Sequence, residues 1–426
     1  MRVLVCDDEL RRSAEIASRI RDAGQPDPEQ LFGNELTEEL KNLFHAVTEC
    51  FEGPKNFRQL SKTRFKEADM VILDNNLALL NVTGTRLTAE SIAGYIRAFT
   101  GASYIVSLNK NPGVDFDLRY LVGDYSTRAD LAINDNHLEN PALWNGERAN
   151  AKDGFLPWYW PRLENAVDRR RRQIKFVSDH LDDSVIETLD FDYDSIGFLS
   201  PHATGALSTK AELDGATRGG VSIKELTYRD VFIASDRSLP AQKERQRLSK
   251  AEKKGNRFLR KIISRVVAAD IDLWFRRDVL CPQVPLVDVP HLLVRLPFLL
   301  GTKASKPNEW NKSATSNAAP YGLKQQLYNN HLAPAKFKHS MWVPAACFWW
   351  PKLKADEKLN ELFLAAKATN WVDVVFCEDT SSFVERSPKT GTAPIEFPAE
   401  MEGAWERRHI APVHGYHYAP RSRLAI

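Results

Sequence analysis

The chain has 426 residues, and at about 100–200 residues per domain that length predicts two to four domains. With 58 Lys+Arg against 56 Asp+Glu, its formal charge of +2 excludes a uniformly basic nucleic-acid binder and an acidic disordered chain. Hydrophobic residues make up 43%, enough to build real cores.

The five cysteines, Cys6, Cys50, Cys281, Cys347 and Cys377, show no paired spacing. That excludes a disulfide framework and a zinc ribbon, and it fits a reducing cytosol. The start, MRVLVCDDELRR, meets acids after a few apolar residues and is not expected to act as a signal peptide. The stretch VPHLLVRLPFLL at 289–300 carries His291, Arg295 and two prolines and is too short to span a bilayer. A cytoplasmic protein without a membrane partner is therefore expected. All ten tryptophans lie at or after Trp144, which predicts a domain boundary near 140–160. ENPALWNG and GFLPWYWPR serve there as connecting sequence.

In chain order, Arg2–Cys6 (RVLVC) has the density of a buried parallel strand and stops at Asp7-Asp8-Glu9. Ala14, Ile16, Ala17 and Ile20 follow at helical spacing, with Gly24 as the stop. The polar stretch 24–44 reads as a surface insertion with a helix near 37–45. His45–Phe51 then reads as the second strand and Phe57–Phe65 as the second helix. Asp69–Leu73 is a third strand, ending on Asp74. Leu87–Phe99 is helical, Tyr104–Val106 is a strand ending at Ser107, and Ala129–Ile133 is a fifth strand ending at Asn134. Alternation of this kind predicts a parallel sheet with right-handed crossovers and a ligand site beyond the carboxyl ends of its strands.

Asp7, Asp8, Asp74 and Ser107 all stand at such ends. Adjacent carboxylates suit Mg2+, and a third carboxylate beside them can attack a phosphoryl group to give an acyl phosphate. VLVCDDE, MVILDNN and YIVSLN, in this order, resemble the first, third and fourth strands of a response-regulator receiver domain of two-component signalling. The resemblance covers residues 1–140 and implies a flavodoxin-like (βα)5 fold. It implies Mg2+ at Asp7, Asp8 and Asp74 and at the Asn76 main-chain carbonyl, with Asp74 as phospho-acceptor and Ser107 as switch hydroxyl. A sensor histidine kinase or phosphotransfer protein would be the partner. The sequence departs from the family in a long gap between Asp8 and Asp74, in Ala78 near the usual proline, and in Leu131 at the aromatic switch position. Asn134 stands where the family has lysine. Lys110, after the fourth strand, is the candidate to supply that charge. A degenerate receiver that serves as a docking or regulatory platform without phosphate fits the same pattern.

The remainder reads as a connecting helix within 141–181, Pro161–Leu181 with the basic run Arg169–Arg172, and a mixed α+β output module at 182–426. The tract 243–265 is basic and helical, and its Lys250–Lys261 region is a candidate nucleic-acid contact. Ile271–Phe275, Val284–Val289, Leu292–Leu300, Met341–Trp350 and Val372–Cys377 are candidate core segments. A receiver-regulated enzyme is a further reading, with Cys347 or Cys377 and His291 as a conceivable nucleophile and base. His409, His414 and His417 could ligate a metal, although Pro412 and Gly415 between them indicate a loop.

Overall fold

Apolar runs ending on polar residues become strands β1 (Val3–Asp7), β3 (Met70–Asp74), β4 (Tyr104–Asn109) and β5 (Leu131–Asn134), and the short segment EQLF becomes β2 (Glu29–Phe32). They form one parallel, flavodoxin-like sheet in the order β2-β1-β3-β4-β5. The computed structural model describes residues 1–52, 63–80, 82, 87–109, 128–157, 162–189, 191, 199, 224–234, 241–280, 283, 285–315, 341–342, 347–357, 359, 361, 372–378, 380–385 and 409–410.

β1 and β3 are buried at every position, as expected of central strands covered on both faces. Helix α1 (Leu10–Asp22) buries Arg12, Ser13, Ile16, Ala17 and Ile20, one stripe at spacings of three and four. Burial of Ile16 and Ile20 contributes about 1.5–3 kcal/mol each. Helix α3 (Ala89–Phe99) is fixed by a capping box, in which Ser91 N–H donates to Thr88 Oγ1 at 3.2 Å and Thr88 N–H to Ser91 Oγ at 3.0 Å. The chain runs from β1 outward to β2 and returns past β1 to β3, so the sheet reverses direction between β1 and β3. That switch point is where open α/β sheets leave a crevice at their carboxyl edge.

Two sequence expectations are corrected here. The second strand lies at 29–32, inside the stretch 24–44 expected to be a surface insertion, and His45–Phe51 forms the end of helix α2 (Gly33–Glu52). Leu36, Leu40, Leu43 and Val47 are buried at helical spacing, which outweighs the local β-propensity of Val47 and Thr48. The expected helix Phe57–Phe65 lies mostly outside the described residues, and Arg64–Lys66 is a single 3-10 turn. The other elements match to within a few residues.

The unit containing the sheet comprises Met1–Phe155, Trp160–Val185 and Leu207–Leu273. Helix α4 (Leu163–Asp179), expected to connect two domains, belongs to it. The middle of its basic run turns inward: Arg170 is 2% exposed, with Nη2 2.9 Å from Asp130 Oδ1 and 3.1 Å from Asp272 Oδ2. Asp272 lies near the end of helix α7 (Arg257–Trp274), which follows α5 (Tyr228–Ala234) and α6 (Gln242–Lys253).

The second unit, Leu156–Tyr159, Ile186–Ala206 and Trp274–Ile426, mixes short helices with small sheets. β6 (Leu286–Asp288) pairs antiparallel with β7 (Cys347–Trp349), and β8 (Val374–Cys377) runs antiparallel between β9 (Ser382–Glu385) and β10 (His409–Ile410). Helix α8 (Val289–Arg295) starts on Asp288, whose side chain caps it. Among the described residues no helix is long and apolar enough to cross a membrane.

Candidate functional site

Cys6 of β1 lies opposite Leu73 of β3, so the next residues, Asp7 and Asp74, end neighbouring strands side by side. Asp8 follows in the loop. Ligand oxygens of Asp7, Asp8 and Asp74 lie within 4.8 Å of one another. They open into a cleft of about 390 Å3 at the sheet's switch point, whose wall also includes Arg12, Asn76, Leu108 and Asn109.

Main-chain amides hold each acid. Glu9 N–H donates to Asp7 Oδ1 at 2.9 Å, Leu79 N–H to Asp8 Oδ2 at 3.0 Å, and Asn76 N–H to Asp74 Oδ2 at 3.1 Å. Asp7 Oδ2 is buried and has no hydrogen-bond partner among the described residues. Burial pushes the Asp7 carboxyl up to about 7 against the pull of the Glu9 amide, with the charges of Asp74 and Asp8 adding to the rise. Burial likewise raises Asp74 to about 6, opposed by the Asn76 amide and Arg12.

The cation of the cleft comes from helix α1 and not from a strand end. Arg12, 7% exposed on the inner stripe of α1, projects among these acids. Its Nη1 donates to Asp135 Oδ2 at 2.9 Å, Nη2 lies 3.8 Å from Asp74 Oδ1, and Nε lies 4.0 Å from Asp7 Oδ2. Asp135 directly follows β5, so an acid stands beside Asn134 where the resemblance calls for lysine. The Asn134 side chain is engaged locally, accepting the Asn136 N–H at 3.0 Å.

Ser107 is not brought to the cleft. β4 runs on to Asn109, with Ser107 opposite Leu73 and Leu108 opposite Asp74. Side chains alternate across a strand, so Ser107, 3% exposed, shares a face with Leu73, while Leu108 and Asn109 line the cleft. Lys110 lies outside the described residues. In the basic tract Lys250, Lys253, Lys254, Arg257 and Lys261 are exposed, whereas Arg260 donates to the Ser178 carbonyl at 2.8 Å and Glu252 is buried against Arg229.

In the second unit His291 is enclosed by carboxylates. Nδ1 meets Asp288 Oδ1 at 2.7 Å and Nε2 meets Glu378 Oε1 at 3.1 Å. Burial pushes the imidazole down, but the two carboxylates outweigh it and raise it to about 9. An imidazolium held at both nitrogens is not a general base, which counts against a cysteine–His291 dyad. His409 is in β10, and His414 and His417 lie outside the described residues.

Oxygen ligands on adjacent strand ends, one of them a buried carboxylate oxygen lacking a partner, fit a hard divalent cation such as Mg2+. Ligation requires that Asp7 and Asp74 shed protons which burial makes them hold. The affinity of such a site for Mg2+ is therefore expected to rise about 10- to 100-fold from about pH 5.5 to about pH 8. Calorimetric titration checks this, and an affinity flat across that range disproves it. Comparison with known proteins gives no match: no family model fits the chain, and neither a curated protein nor a solved structure is significantly similar to it.

Proposed function

We propose that the first unit is a receiver-like domain that accepts a phosphoryl group on Asp74, and that this event controls the second unit. The observation that carries the reading is the meeting of Asp7, Asp8 and Asp74 in one cleft at the switch point of a parallel sheet. Asp7, Asp8, Asp74 and the Asn76 main-chain carbonyl would hold Mg2+, whose chemistry when bound is neutralisation of charge on the entering phosphoryl group.

The chain's own residues do the rest. The Asn76 amide fixes Asp74 Oδ2, so Oδ1 is the attacking oxygen. A bond forms from Oδ1 to phosphorus while the donor's P–O or P–N bond breaks, and the carboxylate or imidazole leaving group departs with the electron pair. A histidine kinase or phosphotransfer protein is the partner this chemistry implies.

Acetyl phosphate with Mg2+ adds the mass of one phosphoryl group to the wild type and none to Asp74→Asn, as intact-mass spectrometry reads directly. A second reading, a phosphate-independent docking platform, is favoured by Asn134 and Asp135 at the position of the expected lysine. If acetyl phosphate adds no mass, and beryllofluoride with Mg2+ changes neither melting temperature nor hydrogen exchange, the platform reading replaces the first.

A further inference from the structure

We propose that Arg12 is the anion-recognition residue of the cleft: its guanidinium receives the oxygens of the phosphoryl group on Asp74, with Asp135 as its positioning residue. The inference rests on the reading of Asp74 as phospho-acceptor and assigns that site's positive charge to helix α1 rather than to a strand end.

Three observations converge. First, the guanidinium is anchored from behind. Nη1 is committed to Asp135 at 2.9 Å, and both side chains are under one-tenth exposed, so the plane is fixed before any ligand arrives. Second, it faces the acceptor without being bound to it. Nη2 is buried, has no hydrogen-bond partner among the described residues, and stands 3.8 Å from Asp74 Oδ1, beyond hydrogen-bond reach. A buried guanidinium donor left unfilled beside a cleft is a costly arrangement that an oxyanion at Asp74 relieves.

Third, the local charge is unbalanced. Carboxylates of Asp7, Glu15, Asp74 and Asp135 lie within 4.0 Å of one guanidinium, and Asp8 clusters with Asp7 and Asp74. A phosphoryl group brings more negative charge, so one divalent cation on the Asp7–Asp8 side leaves its far oxygens in need of a second cation. Arg12 lies on the Asp135 side and supplies it in a planar fork matched to phosphate oxygens, which the point charge of a lysine does not reproduce.

The experiment uses the full chain with acetyl phosphate, beryllofluoride and Mg2+. In Arg12→Ala the labelling rate and the beryllofluoride affinity fall about 10- to 100-fold, while Mg2+ alone binds as well as in wild type or more tightly. Arg12→Lys keeps the charge without the fork and falls between the two. Asp135→Asn loosens the guanidinium without removing it, so labelling falls by less than in Arg12→Ala. Hydrogen exchange in β1 and β3 reports whether each variant keeps its fold, and Arg12→Lys with Asp135→Asn carry the test if Arg12→Ala does not. Labelling of Arg12→Ala or Arg12→Lys at the wild-type rate overturns the role of Arg12 and leaves Asp74 as acceptor. A wild type that binds Mg2+ but takes neither phosphoryl group nor beryllofluoride overturns the acceptor reading itself, and this inference with it.

Discussion

Replacement of Asp7 by asparagine is expected to stabilise the metal-free first unit by about 2–4 kcal/mol at about pH 8 and, on the proposed metal reading, to abolish stabilisation by Mg2+. The folded chain holds the Asp7 proton up to about 7, against an ordinary value of 3.8. The native state thus binds more protons than the unfolded chain throughout that window, and stability falls as pH rises through it. Above it the protein bears the full cost of a buried carboxylate. Asparagine keeps an oxygen for the Glu9 amide and removes the charge. The advantage of Asp7→Asn should therefore widen from about pH 4 to about pH 8. Urea unfolding monitored by hydrogen exchange in β1 and β3 measures it. A variant less stable than wild type at alkaline pH would show that Arg12, 4.0 Å away, already compensates the charge.

The second large effect lies at the opposite edge of the sheet. Arg170→Met destabilises the first unit by about 3–5 kcal/mol, because it removes a buried guanidinium from the two buried carboxylates it contacts, Asp130 and Asp272. Asp272, 1% exposed, keeps the Gln173 amide at 2.7 Å but loses its contact with Arg170. Asp130 retains Arg97 at 2.9 Å and the Ile105 amide at 2.8 Å, so most of the cost falls on Asp272. The double variant Arg170→Met with Asp272→Asn recovers a large part of the loss, since the charge left behind is removed with its partner. A loss below about 1 kcal/mol for Arg170→Met, the level of an exposed pair, refutes the buried-network account.

The central strands were legible because β1 and β3 are unbroken apolar runs ending on acids, a pattern that burial on both faces imposes. β2 was not, since an edge strand with a single buried residue, Leu31, carries no such run. Ser107 was placed at a strand end because a polar residue breaks YIVSLN, yet register with β3 decides which residue faces Asp74, and register is a property of the pair. Arg12 did leave a signal. Ile16 and Ile20 extend one turn back to position 12, so the helical stripe already placed an arginine on the buried face. The second unit resisted reading for a different reason. Its strands are three or four residues long, apart from the two-residue β10, and His291 meets a carboxylate 87 residues further along the chain. No local pattern encodes such a contact.

Arg12, Arg170, Arg229, Arg245, Arg276, Arg277 and Arg295 are all buried, and no lysine is buried among the described residues. A guanidinium does not release its proton at any pH a cell reaches, whereas a buried ammonium readily does. The interior positive charge therefore behaves as a fixed bias rather than as a variable. Burial moves Asp7 and Asp74, and neighbouring carboxylates move His291, to values between about 6 and about 9, each titrating against that constant background. Asp7 and Asp74 then change charge at or just below neutrality and His291 above it, so the acidic cleft and the buried imidazole change charge in separate ranges.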